Sequence, residues 1–93
     1  MLEIVTTNQF TKELKSAIKR GCKEEDLFQV VSILANEEKL PSKYKDHALV
    51  DSKKYHNARE CHIYPDWLLI YRIDRDKLIL SLIRNGTHSD LFK

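Results

Sequence analysis

The chain has 93 residues, of which 42% are hydrophobic and 32% charged, with two glycines and two prolines. This length and composition predict one folded domain over residues 1–93 and exclude a disordered or fibrous chain. Its apolar runs are far shorter than the roughly 20 residues that span a bilayer, and Glu3 stands where a signal peptide carries bases. We therefore expect a cytoplasmic protein with no membrane contact.

The first half of the chain predicts a short strand followed by a helical hairpin. Residues 3–5 favour a strand, and the polar residues after them can cap a helix that ends at Gly21. Acidic residues open a second helix, whose end is marked by Pro41. The two apolar stripes are Phe10, Leu14, Ala17 and Ile18, then Leu27, Val30, Val31 and Leu34.

The second half predicts three consecutive strands. Residues 59–63, 67–74 and 78–84 are strand-length runs separated by turn-like residues at 64–66 and 74–77. A meander of this kind offers a flat surface on which the apolar stripes of the hairpin can pack. The sequence thus predicts an α+β fold of order β-α-α-β-β-β, with a four-stranded, mainly antiparallel sheet packed against the helical hairpin.

Positive charge concentrates in the middle of the chain. Residues 39–59 hold six lysines and arginines against two aspartates, whereas residues 22–38 are acidic. Such a segment can neutralise nucleic-acid phosphates or can simply be solvated. We name Lys45, Lys53 and Lys54 as its candidate substrate-binding residues.

Three histidines stand near the ends of predicted elements with an aspartate close by in sequence. His47 follows Asp46, His62 precedes Asp66 by four residues, and His88 precedes Asp90 by two. Histidine can both take and give a proton near neutral pH, so such residues suit acid–base catalysis. The ligand spacing of a zinc site is missing, so we expect no metal and no cofactor. The two cysteines lack CxxC spacing and are expected to be free thiols.

Arg84 and two aromatic residues complete the candidate site. Gly86 lets the chain turn after the last strand, which would bring Arg84 and His88 to one end of the sheet. A guanidinium binds phosphoryl oxygens with two parallel hydrogen bonds, whereas a surface salt bridge is the alternative role for Arg84. The rings of Trp67 and Phe92 can stack on a base. Alternatively, Trp67 lies in the core and Phe92 anchors the C-terminus under the sheet.

Three blocks of the chain carry a family resemblance. They are residues 44–49 (YKDHAL), 61–71 (CHIYPDWLLIY) and 84–92 (RNGTHSDLF). In order and spacing they resemble the YafQ-type toxins, a branch of the RelE/ParE superfamily of bacterial toxin–antitoxin ribonucleases. Two positions depart from the usual pattern: Asp51 stands where relatives have glycine, and Asn85 where they have threonine.

The resemblance implies a RelE-like fold and a metal-independent mRNA endoribonuclease that enters the ribosomal A site. It also implies an antitoxin protein that holds the enzyme inactive in a toxin–antitoxin hetero-oligomer. The implied catalytic residues are His47, His62, Asp66, Arg84 and His88, with Trp67 and Phe92 at the substrate. Which histidine is the general base stays open, and a ParE-like toxin that binds gyrase without cutting RNA is the alternative function.

Overall fold

The computed structural model describes residues 1–50 and 53–92 of the chain. In chain order the elements are β1 (Glu3–Thr6), α1 (Asn8–Lys19), α2 (Glu24–Ala35), a 3-10 turn (Ser42–Tyr44), β2 (His47–Ala48), β3 (Arg59–Tyr64), β4 (Trp67–Asp74), β5 (Ile79–Gly86) and α3 (His88–Leu91). The predicted α+β class and the helical hairpin are confirmed. The structure adds three short elements that the sequence did not predict, namely the 3-10 turn, β2 and α3.

The sheet has five strands in the order β1-β5-β4-β3-β2. β1 runs parallel to β5, and the other neighbouring pairs are antiparallel, which confirms the mainly antiparallel sheet. The extra strand, β2, has two residues, too few to show the alternation of polar and apolar residues that identifies a strand in sequence. Lys45, at φ 52°, turns the chain into β2.

Identifiable signals set the start of α1 and the ends of α1 and α2. The Thr7 hydroxyl accepts a hydrogen bond of 2.9 Å from the Phe10 amide at the start of α1, and Gly21 at φ 99° follows its end. α2 ends at Ala35, well before Pro41, because Asn36 caps it and the next residue is left-handed. Within the described ranges, no helix is long and apolar enough to cross a membrane.

One of the predicted core positions on α1 is wrong. Phe10 and Ala17 are buried as predicted, but 42% of Ile18 is exposed. At 3.6 residues per turn, Ile18 lies about 80° around the helix from Phe10, at the margin of the buried stripe.

The sheet is covered on both faces. The helical hairpin packs on one face, where its stripes meet buried side chains that include Cys61, Trp67, Leu69, Tyr71, Leu80 and Leu82. A second cluster on the other face consists of Tyr55, Ala58, Leu68, Ile70 and Leu91, from the segment before β3, from β4 and from α3. This second face carries the candidate site.

Strand register aligns the polar residues of the second face. His47 on β2 pairs with Glu60 on β3, Glu60 pairs with Ile70 on β4, and Ile70 pairs with Arg84 on β5. In the next row, His62 pairs with Leu68, which pairs with Gly86 just before α3. Paired residues in a sheet project from the same face, so the histidines and Arg84 share one surface.

Candidate active site

A buried carboxylate lies between two of the predicted histidines. Glu60 Oε1 is 3.5 Å from His47 Nε2 and 3.3 Å from His62 Nε2. The Glu60 side chain is only 6% exposed, against 51% for His47 and 25% for His62. We call His47, Glu60 and His62 the histidine–glutamate cluster. It presents two imidazoles that are open to solvent beside a carboxyl group that is almost fully buried.

The other ring nitrogen of each histidine is held by the backbone. His47 Nδ1 lies 2.8 Å from the Lys45 carbonyl, and His62 Nδ1 lies 3.4 Å from the Pro65 carbonyl. A carbonyl only accepts, so each Nδ1 carries the proton of that contact. The Nε2 atom of each neutral ring then has a free lone pair, and it faces the Glu60 carboxylate. A ring nitrogen that can take a proton is what a general base requires.

Glu60 is a candidate site residue that the sequence did not predict. It lies inside β3, and no motif surrounds it. Its separation from His62 by two residues was the available signal, because residues two apart in a strand project from the same face. His47 comes from a different part of the chain, and only the pairing of β2 with β3 brings it to the same carboxylate.

Asp46 anchors the loop that carries His47. Its carboxylate accepts hydrogen bonds from Arg59 Nε at 3.3 Å and Nη2 at 3.0 Å, and another from the Tyr71 hydroxyl. Burial and then the hydrogen bond to Asp46 raise the pKa of the Tyr71 hydroxyl, and the hydrogen bonds that Arg59 donates to Asp46 raise the pKa of Arg59. Tyr71 and Arg59 therefore stay protonated as donors, which fixes the residue before His47.

Asp46→Asn is expected to lower the single-turnover rate of the RNA cleavage that the family resemblance implies about tenfold or more, because a hydrogen bond to a charged group contributes roughly 1.5 to 3 kcal/mol. The loss should arise through the position of His47. The double variant His47→Ala/Asp46→Asn should then be no slower than His47→Ala alone, and a thermal melt of each variant separates positioning from unfolding. Rate losses that multiply in the double variant would contradict this role.

Arg84 is hydrogen-bonded to other side chains of this chain. Its guanidinium donates to the Glu13 carboxylate from Nε, at 3.2 and 3.1 Å, and from Nη2, at 2.5 Å. A further bond of 2.8 Å runs from Nη1 to the Tyr55 hydroxyl, which itself donates to the Leu91 carbonyl. The hydrogen bond to Glu13 is the main cause that raises the pKa of Arg84. The sequence did not predict the pairing of Arg84 with Glu13. A phosphate that binds Arg84 has to compete with the Glu13 carboxylate.

His88 and Phe92 lie together beside this arginine network. His88 begins α3, where the Thr87 hydroxyl and the Asp90 carboxylate form a reciprocal cap. The His88 and Phe92 ring centroids are 4.8 Å apart, and Phe92 meets Tyr55 edge to face at 5.6 Å. Phe92 is half-buried and His88 exposed, so the short helix presents an imidazole next to an aromatic surface.

The three lysines predicted to bind substrate differ in their contacts. Lys54 Nζ approaches the Leu91 carbonyl at 3.5 Å and lies 5.5 Å from the centroid of the Tyr55 ring. Lys45 and Lys53 are exposed, and Lys45 also supplies the carbonyl that holds His47. Asp51, one of the two positions that depart from the family pattern, lies outside the described residues.

Asp66 and Trp67 follow each other in the chain but differ in exposure. Asp66 is exposed in the turn after Pro65, and its charge adds to the burial that raises the pKa of the Cys22 thiol. Trp67 is fully buried on the helix side, where its Nε1 donates to the Asn85 side-chain oxygen at 3.0 Å. Of the two roles that the sequence left open for Trp67, substrate contact or a core position, the structure has the core position, because strand alternation points the ring inward.

Asn85, the second departure from the family pattern, is a structural link. It is fully buried, accepts from Trp67, and donates from its side chain to the Phe10 carbonyl at 3.1 Å. The cysteines are free thiols as predicted, and burial raises the pKa of Cys61 to about 12. Over residues 1–50 and 53–92, no three His, Cys, Asp or Glu side chains are arranged to hold a metal ion.

Comparison with known proteins connects this geometry to a family. The sequence pattern described as "Bacterial toxin of type II toxin-antitoxin system, YafQ" matches residues 2–93. The chain belongs to the YafQ toxin family. A curated family member from Escherichia coli BL21-DE3, an "mRNA interferase toxin YafQ", is 42% identical over 91 residues, which cover 97% of this chain and 95% of that protein.

Solved structures of family members share the fold. A metal-bound toxin from Helicobacter pylori matches with a TM-score of 0.91 at 44% identity, covering 99% of this chain and 100% of that one. The E. coli DinJ–YafQ complex matches with a TM-score of 0.88 at 36% identity, covering all of both chains. These matches confirm the resemblance and the RelE-like fold predicted from the three sequence blocks.

Proposed function

We propose that this chain is the toxin of a type II toxin–antitoxin system and cleaves messenger RNA on the ribosome. The histidine–glutamate cluster is the observation that carries the proposal, because two imidazoles, which are side chains able to transfer protons, lie on the sheet face that also carries Arg84. The mRNA interferase activity named for E. coli family members agrees with this chemistry.

The proposed reaction is an attack of the ribose 2′ oxygen on the adjacent phosphorus. A histidine takes the 2′-OH proton, the new P–O2′ bond forms as the P–O5′ bond breaks, and a second group protonates the departing 5′ oxygen. The products are a 2′,3′-cyclic phosphate, which water can open to a 3′-phosphate, and a 5′-OH. No oxidant, reductant or cofactor is consumed.

The arrangement of the strands suggests where the phosphate lies. His62 is on β3, and His88 follows Gly86 on β5, two strand spacings away, which is about 10 Å. In-line displacement needs its base and its acid on opposite sides of the phosphorus, and this spacing leaves room for a phosphate between the two rings. Arg84 on β5 would stabilise the charge that develops on the phosphoryl oxygens. Asp66, beside the Pro65 carbonyl that holds His62, would orient that ring.

The proposal includes the cellular partners. The exposed lysines 45 and 53, together with Lys54, would contact message or ribosomal RNA phosphates in the A site, and Phe92 would stack on a base. A cognate antitoxin would hold the toxin in a hetero-oligomer, as DinJ does with YafQ in the E. coli complexes. Translation places this activity in the cytoplasm.

Inducing the chain in translating cells and mapping message 5′ ends tests the proposal. We expect new 5′ ends inside translated regions within minutes, and their loss when a cognate antitoxin is co-expressed. Growth arrest with intact messages and inhibited gyrase would contradict the proposal in favour of the ParE-like alternative.

A further inference from the structure

A groove leads from His62 along the β3–β4 turn to α2. It consists of two cavities of about 150 Å³ and 350 Å³. They share the lining residues Lys43, Ile63, Tyr64 and Pro65, so they are neighbours along the β3–β4 turn. The smaller cavity opens at His62 and Lys45, and the larger one reaches Asp26 and Gln29. The groove extends the site from His62 to α2, while Arg84 lies two strands away from His62 across the sheet.

One wall of the groove is fixed by the fold. The Tyr64 ring packs against the Trp67 ring with centroids 5.2 Å apart. The Tyr64 hydroxyl donates to Asp26 at 2.5 Å and accepts from the Lys23 amide at 3.1 Å. A wall held at both ends does not have to be ordered when a ligand binds, which favours affinity.

The charges along the groove differ between its two ends. Lys45 lines the end near His62, and Lys43 lines both cavities, with its ammonium 5.1 Å from the Tyr44 ring centroid. At the α2 end the Asp26 carboxylate would repel a phosphate, whereas the exposed Gln29 amide offers both a donor and an acceptor. A phosphate therefore fits near the lysines, and the polar edge of a base fits at Gln29.

We propose that this groove binds the message nucleotide next to the scissile phosphate and that Gln29 contributes to base preference. The inference rests on the proposed function, since it extends the same site from His62. RNA is favoured over a protein segment because the groove joins the acid–base cluster directly and has cationic and amide groups in the order that a nucleotide presents phosphate and base.

Gln29→Ala and Lys43→Ala test the groove, with Lys77→Ala as a control that removes an exposed lysine from the β4–β5 turn. The substrates are ribosomes programmed with messages that differ only in the nucleotides flanking the cleavage site. Gln29→Ala should reduce discrimination between bases at one flanking position about tenfold, the size of a lost pair of base-edge hydrogen bonds. Lys43→Ala should raise KM for every message alike. It should also lower the slope of log affinity against log salt concentration by about one. Lys77→Ala should match wild type.

Affinity for the cognate antitoxin is measured on the same variants. Unchanged base preference and KM in both groove variants, beside an active wild type, would overturn the inference. Weakened antitoxin binding with unchanged cleavage would overturn it too and assign the groove to the antitoxin. A wild-type chain that does not cleave programmed messages would instead contradict the proposed function.

Discussion

Replacing His62 with alanine is expected to lower the single-turnover rate of message cleavage by about 10²- to 10⁴-fold, the usual contribution of a proton-transferring side chain. His62 reaches both Glu60 and the groove beside the β3–β4 turn, so it lies where the substrate and the buried carboxylate meet. Its loss also leaves Glu60 with one histidine instead of two. Ribosome association should change little, because His62 acts on the proton and not on the phosphate charge.

His56→Ala is the matched control. His56 is an exposed histidine whose described contact is made by its backbone carbonyl, which accepts from Arg72 and is retained in the variant. We expect wild-type cleavage and an unchanged melting temperature. Cleavage by folded His62→Ala within a few-fold of His56→Ala would remove His62 from the mechanism.

Arg84→Ala is expected to have two effects at once. Cleavage should fall about 10²- to 10³-fold, as when a group that stabilises transition-state charge is removed. The melting temperature should also fall, because the partly buried Glu13 carboxylate loses its ion-pair partner and keeps the Asn85 backbone amide, and because the Tyr55 hydroxyl loses a donor. Arg84→Lys keeps the charge without the planar fork and should restore cleavage only in part.

A second substitution separates the two effects of Arg84. Glu13→Gln removes the charge that Arg84→Ala leaves unpaired, so the double variant should regain stability but not cleavage. Arg75→Ala is the control, since Arg75 pairs with Glu37 at 2.9 Å on an exposed surface where such pairs contribute little. Recovery of cleavage together with stability in the double variant would show that Arg84 serves the fold alone.

The sequence predicted those parts of the fold that repeat a pattern within one element. Trp67–Asp74 shows the apolar run of a buried strand, and the α1 stripe shows a helical period, so both elements were placed correctly. β2 has two residues, and its existence depends on pairing with β3. The end of α2 is set by local caps at Asn36 and not by the more visible Pro41.

The candidate site was predicted only as far as residue type reveals chemistry. Histidines and an arginine near strand ends are visible in a sequence, and the structure places His47 and His62 together. Nothing in the sequence distinguishes Glu60 and Glu13 from other acidic residues. Only the tertiary structure shows that Glu60 contacts His62 and that Glu13 pairs with Arg84. The role of Trp67 stayed open in the sequence, because the face that a strand residue occupies depends on a register that the sequence does not give.

The chemical nature of the RNA ends tests the central claim most directly. Purified chain is mixed with programmed ribosomes, and both fragments are analysed at each cleavage site, with His62→Ala measured in parallel. Attack by the 2′-OH predicts a 5′-OH on the downstream fragment and a 2′,3′-cyclic or 3′-phosphate on the upstream one, both absent with His62→Ala. A 5′-phosphate, which requires water to attack from the other side of the phosphodiester, would contradict the assignment of the histidine–glutamate cluster to 2′-OH activation.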